Sequence, residues 1–136
     1  MDKSKYIILI VEDDSGTRML LRDRLRHEGF TIETASNGIE GLDKAIKLKP
    51  DIVILDVMMP GKNGYVVCSE LRKNPKTKEM FIIMFTAKSM MKDMEVGYNA
   101  GADYYVPKPF EMDDLLKKIK MCLNKKMLDK IFDDKN

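Results

Sequence analysis

The chain has 136 residues, 44% of them hydrophobic, and its 24 basic and 22 acidic side chains leave a formal net charge of +2. This length and composition predict one folded domain with a packed core and argue against intrinsic disorder. The balanced charge argues against direct nucleic-acid binding, which normally requires a basic stripe. The longest apolar run is too short to span a membrane. Because no signal-peptide pattern follows the first residues, we expect a cytoplasmic protein with no membrane partner.

Short apolar runs alternate with amphipathic segments along the whole chain, which is typical of βαβ units and a mostly parallel sheet. The predicted strands are Tyr6–Val11, Thr31–Thr34, Asp51–Leu55, Met80–Phe85 and Asp103–Val106. The predicted helices cover residues 15 to about 28, 38–48, a segment ending near 73, about 89 to 99, and a last segment from about 111. The pattern therefore predicts a doubly wound α/β domain.

Local signals refine these helices. Ser15 is the expected cap of the first helix. The 3.6-residue period predicts that Met19, Leu21 and Leu25 face the core from this helix, and that Ile39 does so from the second.

Five strands and five helices leave no room for a second domain. We expect one domain over residues 1–124, followed by a tail, residues 125–136, that either prolongs the last helix or frays. Cys68 and Cys122 lie in predicted helices without ligand-type spacing, so we interpret them as core side chains and not as a disulfide or zinc site.

Asp56 has the most informative position in the chain. It ends the apolar run Ile52 to Leu55 and precedes a Pro-Gly turn, which places its carboxylate at the end of a buried strand. A carboxylate there costs desolvation free energy unless a cation or hydrogen-bond donors meet it. Candidate partners follow the ends of other predicted strands, at the edge where open parallel sheets bind ligands. They are Glu12, Asp13, Asp14, Thr86 and Lys108.

These residue types suit the transfer of a phosphoryl group. Glu12, Asp13 and Asp56 could bind Mg²⁺, which uses one or two carboxylates together with waters and phosphate oxygens, and Mn²⁺ could substitute for it. Lys108 could pair with a phosphate or with Asp56, and the Thr86 hydroxyl could donate to a phosphate oxygen. Carboxylate nucleophiles accept phosphoryl groups, and positioning with charge neutralisation supplies most of the catalysis.

Each of these residues alone also has a purely structural explanation. The acidic triplet could stabilise a helix N-terminus through the macrodipole, and Asp56 could form an Asx-type turn. Thr86 could cap the following helix, and Lys108 could be an ordinary surface residue. The combination of four such positions at one sheet edge favours a functional site over four unrelated coincidences.

The motifs at these positions together resemble the receiver domain of two-component response regulators, over essentially the whole chain. The segment Ile-Leu-Ile-Val-Glu-Asp-Asp resembles the family's acidic pair, with Glu12 and Asp13, and Ile-Leu-Asp-Val-Met-Met-Pro-Gly resembles its phosphoacceptor segment, with Asp56. Phe-Thr-Ala supplies the hydroxyl of Thr86, and Gly-Ala-Asp-Tyr-Tyr-Val-Pro-Lys-Pro-Phe supplies the phosphate-binding Lys108. The resemblance implies a flavodoxin-like sheet of order 2-1-3-4-5.

The resemblance also implies contacts made by the backbone near Asp56. The Met58 carbonyl is expected to be a metal ligand, and the Val57 and Ala87 amides are expected to contact the phosphate. The sequence departs from the family pattern at Glu12, where Asp is commoner, and a glutamate there could reach the metal through water. Asn63 stands where the family often has an Asp, with no evident effect on the chemistry.

A conformational switch is implied in the same way. Tyr105 corresponds to the aromatic residue that turns inward when Thr86 moves toward the phosphate, and the Lys108-Pro109 peptide bond is expected to be cis. Phosphorylation would then alter the face made by the fourth helix, the fifth strand and the last helix. Met90, Met91 and Met94 are expected to contribute to that face.

The implied function is a signalling switch and not a metabolic enzyme. Asp56 would accept a phosphoryl group from a sensor histidine kinase or a phosphotransfer protein, and the chain would later hydrolyse its own aspartyl phosphate. An output protein or a second copy of the chain would bind the altered face.

Three other functions fit the residues less well. A phosphatase of the haloacid dehalogenase type needs a second acid two residues after the nucleophile, where this chain has Met58. A flavodoxin-like FMN module is disfavoured because the carboxylates that precede Ser15 would repel the flavin phosphate. The alternative is a degenerate receiver that acts only through protein contacts, and it is disfavoured because every residue needed for phosphorylation is present.

Overall fold

The structure, a computed structural model, describes residues 2–87 and 94–135. Within these residues, five parallel strands form one sheet in the order β2-β1-β3-β4-β5, which confirms the predicted fold. After a 3₁₀ turn, Lys3–Lys5, the elements are β1 (Ile7–Val11), α1 (Ser15–His27), β2 (Thr31–Ala35), α2 (Gly38–Leu48), β3 (Ile52–Asp56), α3 (Gly64–Lys73), β4 (Phe81–Ala87), α4 (Met94–Ala100), β5 (Tyr104–Lys108) and α5 (Met112–Lys135). Met90 and Met91, expected in the fourth helix, lie outside the described residues, as does the side chain of Met94.

The core has two layers because successive side chains of a strand point to opposite faces of the sheet. Ile8 and Ile10 of β1 belong to the layer covered by α1 and α5, whereas Leu9 and Val11 belong to the layer covered by α2 and α3. All five residues of β3 are buried, as expected of a central parallel strand. Asp56 is therefore the end of the most enclosed strand in the sheet.

The start of α1 differs from the prediction. Asp14, and not Ser15, caps the helix: its Oδ2 atom accepts a hydrogen bond from the Thr17 amide at 2.8 Å, and Ser15 is the first helical residue. Asp14 is thereby occupied as a cap and does not belong with the other acids of the triplet.

Two helix side chains expected in the core are exposed. Leu21 and Leu25 are fully buried, but Met19 is 49% exposed, because a residue two positions before Leu21 lies on another side of the helix. Ile39 is 70% exposed, because α2 packs through small residues instead. An added Cβ at Gly41 would lie 2.8 Å from Val11.

The N-terminus of α2 packs equally closely against the loop that follows β3. An added Cβ at Gly38 would lie 2.7 Å from the Lys62 carbonyl oxygen and 2.9 Å from a Val67 methyl group. Glycine at this position therefore lets α2 touch the loop directly.

The last helix continues through the predicted tail to Lys135. Leu115, Ile119, Cys122 and Leu123 are fully buried against the sheet, and both cysteines are free and buried, as predicted. None of the described helices is long and apolar enough to cross a membrane.

Candidate functional site

The ends of the central strands bring the predicted residues to one edge of the sheet. Val11 pairs with Leu55, and Asp56 pairs with Phe85, so Glu12 and Thr86 follow directly on either side of Asp56. All three polar side chains are buried: Glu12 is 0% exposed, Asp56 3% and Thr86 1%. Burial at this level is rare for carboxylates without a partner, so their contacts decide what the site can do.

Lys108 lies between the two buried carboxylates. Its Nζ atom is 2.6 Å from Glu12 Oε1 and 3.1 Å from Asp56 Oδ2. Lys108 reaches this position because Ala87 pairs with it at the end of β5, one strand further along the sheet. One ammonium group therefore neutralises part of the charge of two acids.

The buried polar groups are only partly satisfied. Asp56 Oδ1 accepts a hydrogen bond from the Met58 amide at 3.1 Å. Within the described part of the chain, Glu12 Oε2 and Thr86 Oγ1 are buried and have no hydrogen-bond partner. A buried polar atom without a partner costs about 1–3 kcal/mol, so a fold that keeps two of them beside one carboxylate is arranged for a ligand that supplies the missing partners.

The pKa of Glu12 reflects this environment. The pKa is raised from 4.5 to about 8, because burial and then the neighbouring Asp56 carboxyl raise it by more than the Lys108 ammonium lowers it. For Lys108, burial acts to lower the pKa, but the hydrogen bond to Glu12 and the charges of both carboxylates outweigh it, so the pKa lies above its usual 10.5. Glu12 is thus the acid of this site whose pKa is raised, so that it holds a proton more readily than an exposed glutamate.

Glu12, Asp13 and Asp56 fit a divalent cation. Each offers one carboxylate oxygen, and the three atoms lie within 4.8 Å of one another. Asp13 is exposed, so the cluster is open to solvent on one side. Such an all-oxygen set suits a hard ion such as Mg²⁺, which keeps several waters. The sequence prediction named these same three acids.

The loop after Asp56 is held by close backbone contacts. Gly64 donates to the Val57 carbonyl at 3.0 Å, and an added Cβ at Gly64 would lie only 2.4 Å from the Asp56 carbonyl oxygen. Asn63, for which the sequence suggested no role, caps α3 by accepting from the Val66 amide at 3.0 Å. These contacts fix where the Asp56 carboxylate points.

One of the backbone amides expected to contact a phosphate makes a hydrogen bond within the protein in this structure. The Val57 amide, expected to contact a phosphate, donates to the Phe85 carbonyl at 3.0 Å. It would have to give up this bond to bind an anion. The Met58 amide, to which the sequence analysis gave no role, is the donor that contacts Asp56.

Arg18 is a positioning residue that the sequence did not indicate. Its guanidinium donates to the Glu12 carbonyl at 2.8 Å and to the Asp13 carbonyl at 3.3 Å. It thereby holds the backbone of the loop that carries both acids. Its sequence context does not distinguish it from the other arginines of α1, so no signal for this role was available.

The predicted switch residue Tyr105 is buried, with 4% of its surface exposed. Its ring meets Tyr98 edge-on at a centroid distance of 5.0 Å. Burial, followed by the neighbouring Tyr65 and other groups, raises the pKa of the Tyr105 phenol well above 10. Tyr105 therefore already occupies an inward position in this structure.

The turn after Lys108 agrees with the prediction. The Lys108-Pro109 peptide bond is cis, and Phe110 stacks on Phe85 with ring centroids 5.4 Å apart. The turn is thus anchored on the same strand, β4, that carries Thr86.

Comparison with known proteins agrees with this geometry. The model of the response regulator receiver domain matches residues 8–120. The chain is 34% identical over 118 residues to the DNA-binding dual master transcriptional regulator RpaA of Synechocystis, covering 87% of this chain and 49% of the relative. It is 39% identical over 126 residues to the response regulator ArlR of Staphylococcus aureus, covering 93% and 56%. The chain thus spans about half the length of the curated relatives it matches.

Solved structures show the same fold over nearly their whole length. A response regulator structure from Chloroflexus aurantiacus is 37% identical with a TM-score of 0.83, covering 88% of this chain and 98% of that one. The chemotaxis response regulator CheY4 of Vibrio cholerae is 31% identical with a TM-score of 0.81, covering 86% and 98%. With its matched residues, its sheet order and its acidic edge, the chain belongs to the response regulator receiver domain family.

Proposed function

We propose that this receiver domain is a phosphorylation-activated switch in which Asp56 accepts a phosphoryl group from a sensor histidine kinase or a phosphotransfer protein. The observation that carries the proposal is the buried Asp56 carboxylate, held by Lys108 and the Met58 amide, beside two buried polar atoms that have no hydrogen-bond partner among the described residues. Around a carboxylate with a purely structural role, the neighbouring polar groups would all have hydrogen-bond partners. Beside Asp56, a phosphoryl oxygen could accept the hydrogen bond of Thr86, and a cation could bind the free oxygen of Glu12.

In the proposed transfer, an Asp56 carboxylate oxygen forms a bond to phosphorus while the bond from phosphorus to the donor nitrogen breaks and its electron pair stays with the donor. Lys108, 3.1 Å from Asp56 Oδ2, opposes the negative charge that gathers there. The Thr86 hydroxyl can donate to a phosphoryl oxygen because no described residue accepts from it. The Met58 and Ala87 amides are the backbone donors we assign to the phosphate.

Receiver domains typically bind Mg²⁺ in such an acidic pocket, and here Glu12, Asp13 and Asp56 would hold it. The ion would supply positive charge that lowers the repulsion between the carboxylate and an incoming phosphate dianion. Beside it, Arg18 keeps the backbone of Glu12 and Asp13 in place, and Lys108 offsets the charge of Glu12 as well as of Asp56.

We further propose that phosphorylation shifts a population and does not create a new position for Tyr105. The ring is buried in this structure, so the inward state is accessible, and a Thr86 hydroxyl engaged by phosphate would favour it. The resulting change would be read on the face formed by α4, β5 and α5. An output protein or a second copy would bind there.

The test is phosphorylation by a small acyl phosphate with Mg²⁺, followed by intact mass and peptide mapping. One phosphoryl group should appear on Asp56, should be lost to hydroxylamine, and should be absent from the Asp56→Asn variant. Asp51→Asn is the matched control. Asp51 is also a partly buried carboxylate, but it lies at the opposite end of β3, directly before the strand begins.

Unchanged labelling of Asp56→Asn would contradict the assignment. A wild-type chain that takes no label, while it still binds Mg²⁺, would favour the degenerate receiver that acts through protein contacts alone.

A further inference from the structure

A cavity of about 680 Å³ lies at the end of the sheet where the strands begin. Its walls come from the turn between α2 and β3, the loop between α3 and β4, and the C-terminal part of α5. Asp51, which lines it, and Asp56 lie at opposite ends of β3, about 16 Å apart at about 3.3 Å per residue. The volume is in the range of cavities that hold small ligands, and the cavity is separate from the site at Asp56.

The floor of the cavity is apolar. Pro50 and Met80 line it and are buried, and Phe81 lines it and is partly buried. Met80 belongs to one layer of the core and Phe81 packs against the other, so the floor is the end of the sheet itself. The Phe81 ring stacks on no other aromatic ring of the described residues. A flat ring of a ligand could therefore pack against it.

A smaller cavity of about 240 Å³ adjoins the first, since Phe81 and Asp129 line both. Around the two cavities, basic side chains outnumber acidic ones by seven to four, an excess larger than the net charge of +2 of the whole chain. Two of the acids are already neutralised. Asp51 pairs with Lys126, and Asp103 pairs with Arg72. Five lysines around the cavities make no ion pair with a described residue: Lys49, Lys76, Lys78, Lys125 and Lys130.

These lysines come from separate parts of the chain. Lys49 follows α2, Lys76 lies in the loop before β4, and Lys130 lies on α5. Like charges repel one another, and an anion between them removes that repulsion. An anion with charge on several atoms could meet lysines of more than one element at once, whereas an ion with a single charge could not.

We propose that this cavity binds a small multivalent anion that carries an aromatic ring, the chemistry of a nucleoside diphosphate or triphosphate. The ring would lie on the floor beside Phe81, and the phosphate groups would meet the lysines. Glu79 and Asp129 line the cavity and make no ion pair in the described part of the chain, so they can accept hydrogen bonds from sugar hydroxyl groups.

Calorimetric titration of the full chain with ADP tests the proposal, in buffer freed of divalent cations by a chelating resin. One ADP should bind, at least about ten-fold more tightly than adenosine or pyrophosphate, because each of these supplies only part of the contacts. Asp56→Asn should bind ADP with the wild-type dissociation constant, because the cavity lies at the other end of β3. Bound ADP should slow amide hydrogen exchange in residues 75–80 and 126–130 and leave the loop after Asp56 unchanged.

Charge reversal tests the role of the lysines. Lys49→Glu and, independently, Lys130→Glu should each raise the dissociation constant of ADP at least about five-fold. Lys47→Glu is the matched control: it makes the same change of charge two residues before Lys49, but Lys47 lines neither cavity. It should change the constant less than about two-fold.

A ring variant tests the floor. Phe81→Leu should weaken ADP binding at least about five-fold and leave pyrophosphate binding unchanged. Phe132→Leu is its control, because Phe132 is exposed and lines neither cavity. Far-UV circular dichroism of each variant shows that it is folded.

Three results would overturn the proposal: a wild type that does not bind ADP, including one that binds only anionic lipid vesicles; an ADP affinity unchanged in both lysine variants; or an affinity lost equally in Lys47→Glu. Pyrophosphate that binds as tightly as ADP, or an ADP affinity unchanged in Phe81→Leu, would overturn the part assigned to the ring.

Discussion

Charged residues lie at both ends of the parallel strands, but their hydrogen bonding differs. We call the two ends of the sheet, where the strands begin and where they end, its amino edge and its carboxyl edge. At the amino edge, Asp103 Oδ2 accepts from Arg72 and from the Ile82 amide, both at 2.8 Å, and Asp51 accepts from the Ile7 amide at 2.9 Å and pairs with Lys126. At the carboxyl edge, Glu12 and Thr86 each keep a buried oxygen without a partner in the described chain.

The difference shows what distinguishes a functional charge from a structural one. Both edges contain partly or fully buried carboxylates near a cation, so burial and charge alone do not identify a site. The distinguishing property is the unsatisfied hydrogen-bonding capacity, which costs stability in the resting protein and is recovered only when a ligand binds.

The largest effect on stability should come from the amino edge. Arg72 donates to the carbonyls of Lys78 and Gly101 at 2.8 and 2.9 Å, to the Met80 carbonyl, and to Asp103. Arg72→Ala should lower the free energy of unfolding by about 2–4 kcal/mol, because it leaves a half-buried carboxylate and several carbonyls without their donor. Urea denaturation followed by circular dichroism measures this loss.

The control for Arg72→Ala is Arg22→Ala, which breaks an ion pair with Asp23 whose carboxylate is 64% exposed. It should change the unfolding free energy by less than about 0.5 kcal/mol. A similar loss in the two variants would remove the distinction between the edges. The folded fraction of Arg72→Ala should still accept a phosphoryl group on Asp56.

At the carboxyl edge, replacing Glu12 with a neutral residue should stabilise the fold relative to the wild type, and increasingly so as the pH rises. The pKa of Glu12 is raised from 4.5 to about 8, so between these values the folded protein holds a proton that the unfolded chain releases. Wild-type stability therefore falls as the pH rises through this window. Relative to the wild type, Glu12→Gln should gain on the order of 1–2 kcal/mol between pH 5 and pH 8 in the presence of a chelator.

Thermal or urea unfolding at several pH values checks this sign. Glu28→Gln, at a partly exposed residue that pairs with Lys3, should show no such trend. If the stability of Glu12→Gln stayed parallel to that of the wild type at every pH, the pKa of Glu12 would not be raised in the fold.

The Mg²⁺ affinity should depend on the protonation of Glu12. A protonated Glu12 competes with the ion, so the affinity should rise several-fold between pH 6 and pH 8 and then level off. Titration calorimetry in buffers of different ionisation enthalpy should detect a released proton near pH 7. Glu12→Gln should bind more weakly and lose this pH dependence. Affinity independent of pH in the wild type would contradict the prediction.

The smallest effect should come from the outermost ion pair of the amino edge. Lys126 pairs with Asp51 but has 47% of its side chain exposed. Lys126→Ala should cost less than about 1 kcal/mol, and the cost should shrink at high salt. A loss above about 2 kcal/mol would show that the extended part of α5 is an integral part of the fold.

The positions of the strands and of the main site residues follow from the sequence. Apolar runs mark the strands, and in a parallel sheet every strand end reaches the same edge, so Glu12, Asp56, Thr86 and Lys108 could be placed together without coordinates. The acidic cluster that the structure describes consists of the three acids named from the sequence.

The remaining features depend on contacts that a linear pattern does not contain. Periodicity counts large apolar residues, so it placed Ile39 in the core although glycine and alanine make the close contact of α2. Whether Asp14 or Ser15 caps α1 depends on the backbone conformation at the start of the helix. The Val57 amide is taken up by Phe85 from another strand, and Arg18 reaches back across its own helix end.

The close contact at Gly38 links two parts of the molecule mechanically. A methyl group there would overlap the Lys62 carbonyl, so no clearance remains between the start of α2 and the loop that leaves Asp56. A change in the shape of this loop would therefore displace the start of α2 or slide the loop along it. The second helix, and not only the α4-β5-α5 face, would then transmit events at the acidic site to the protein surface.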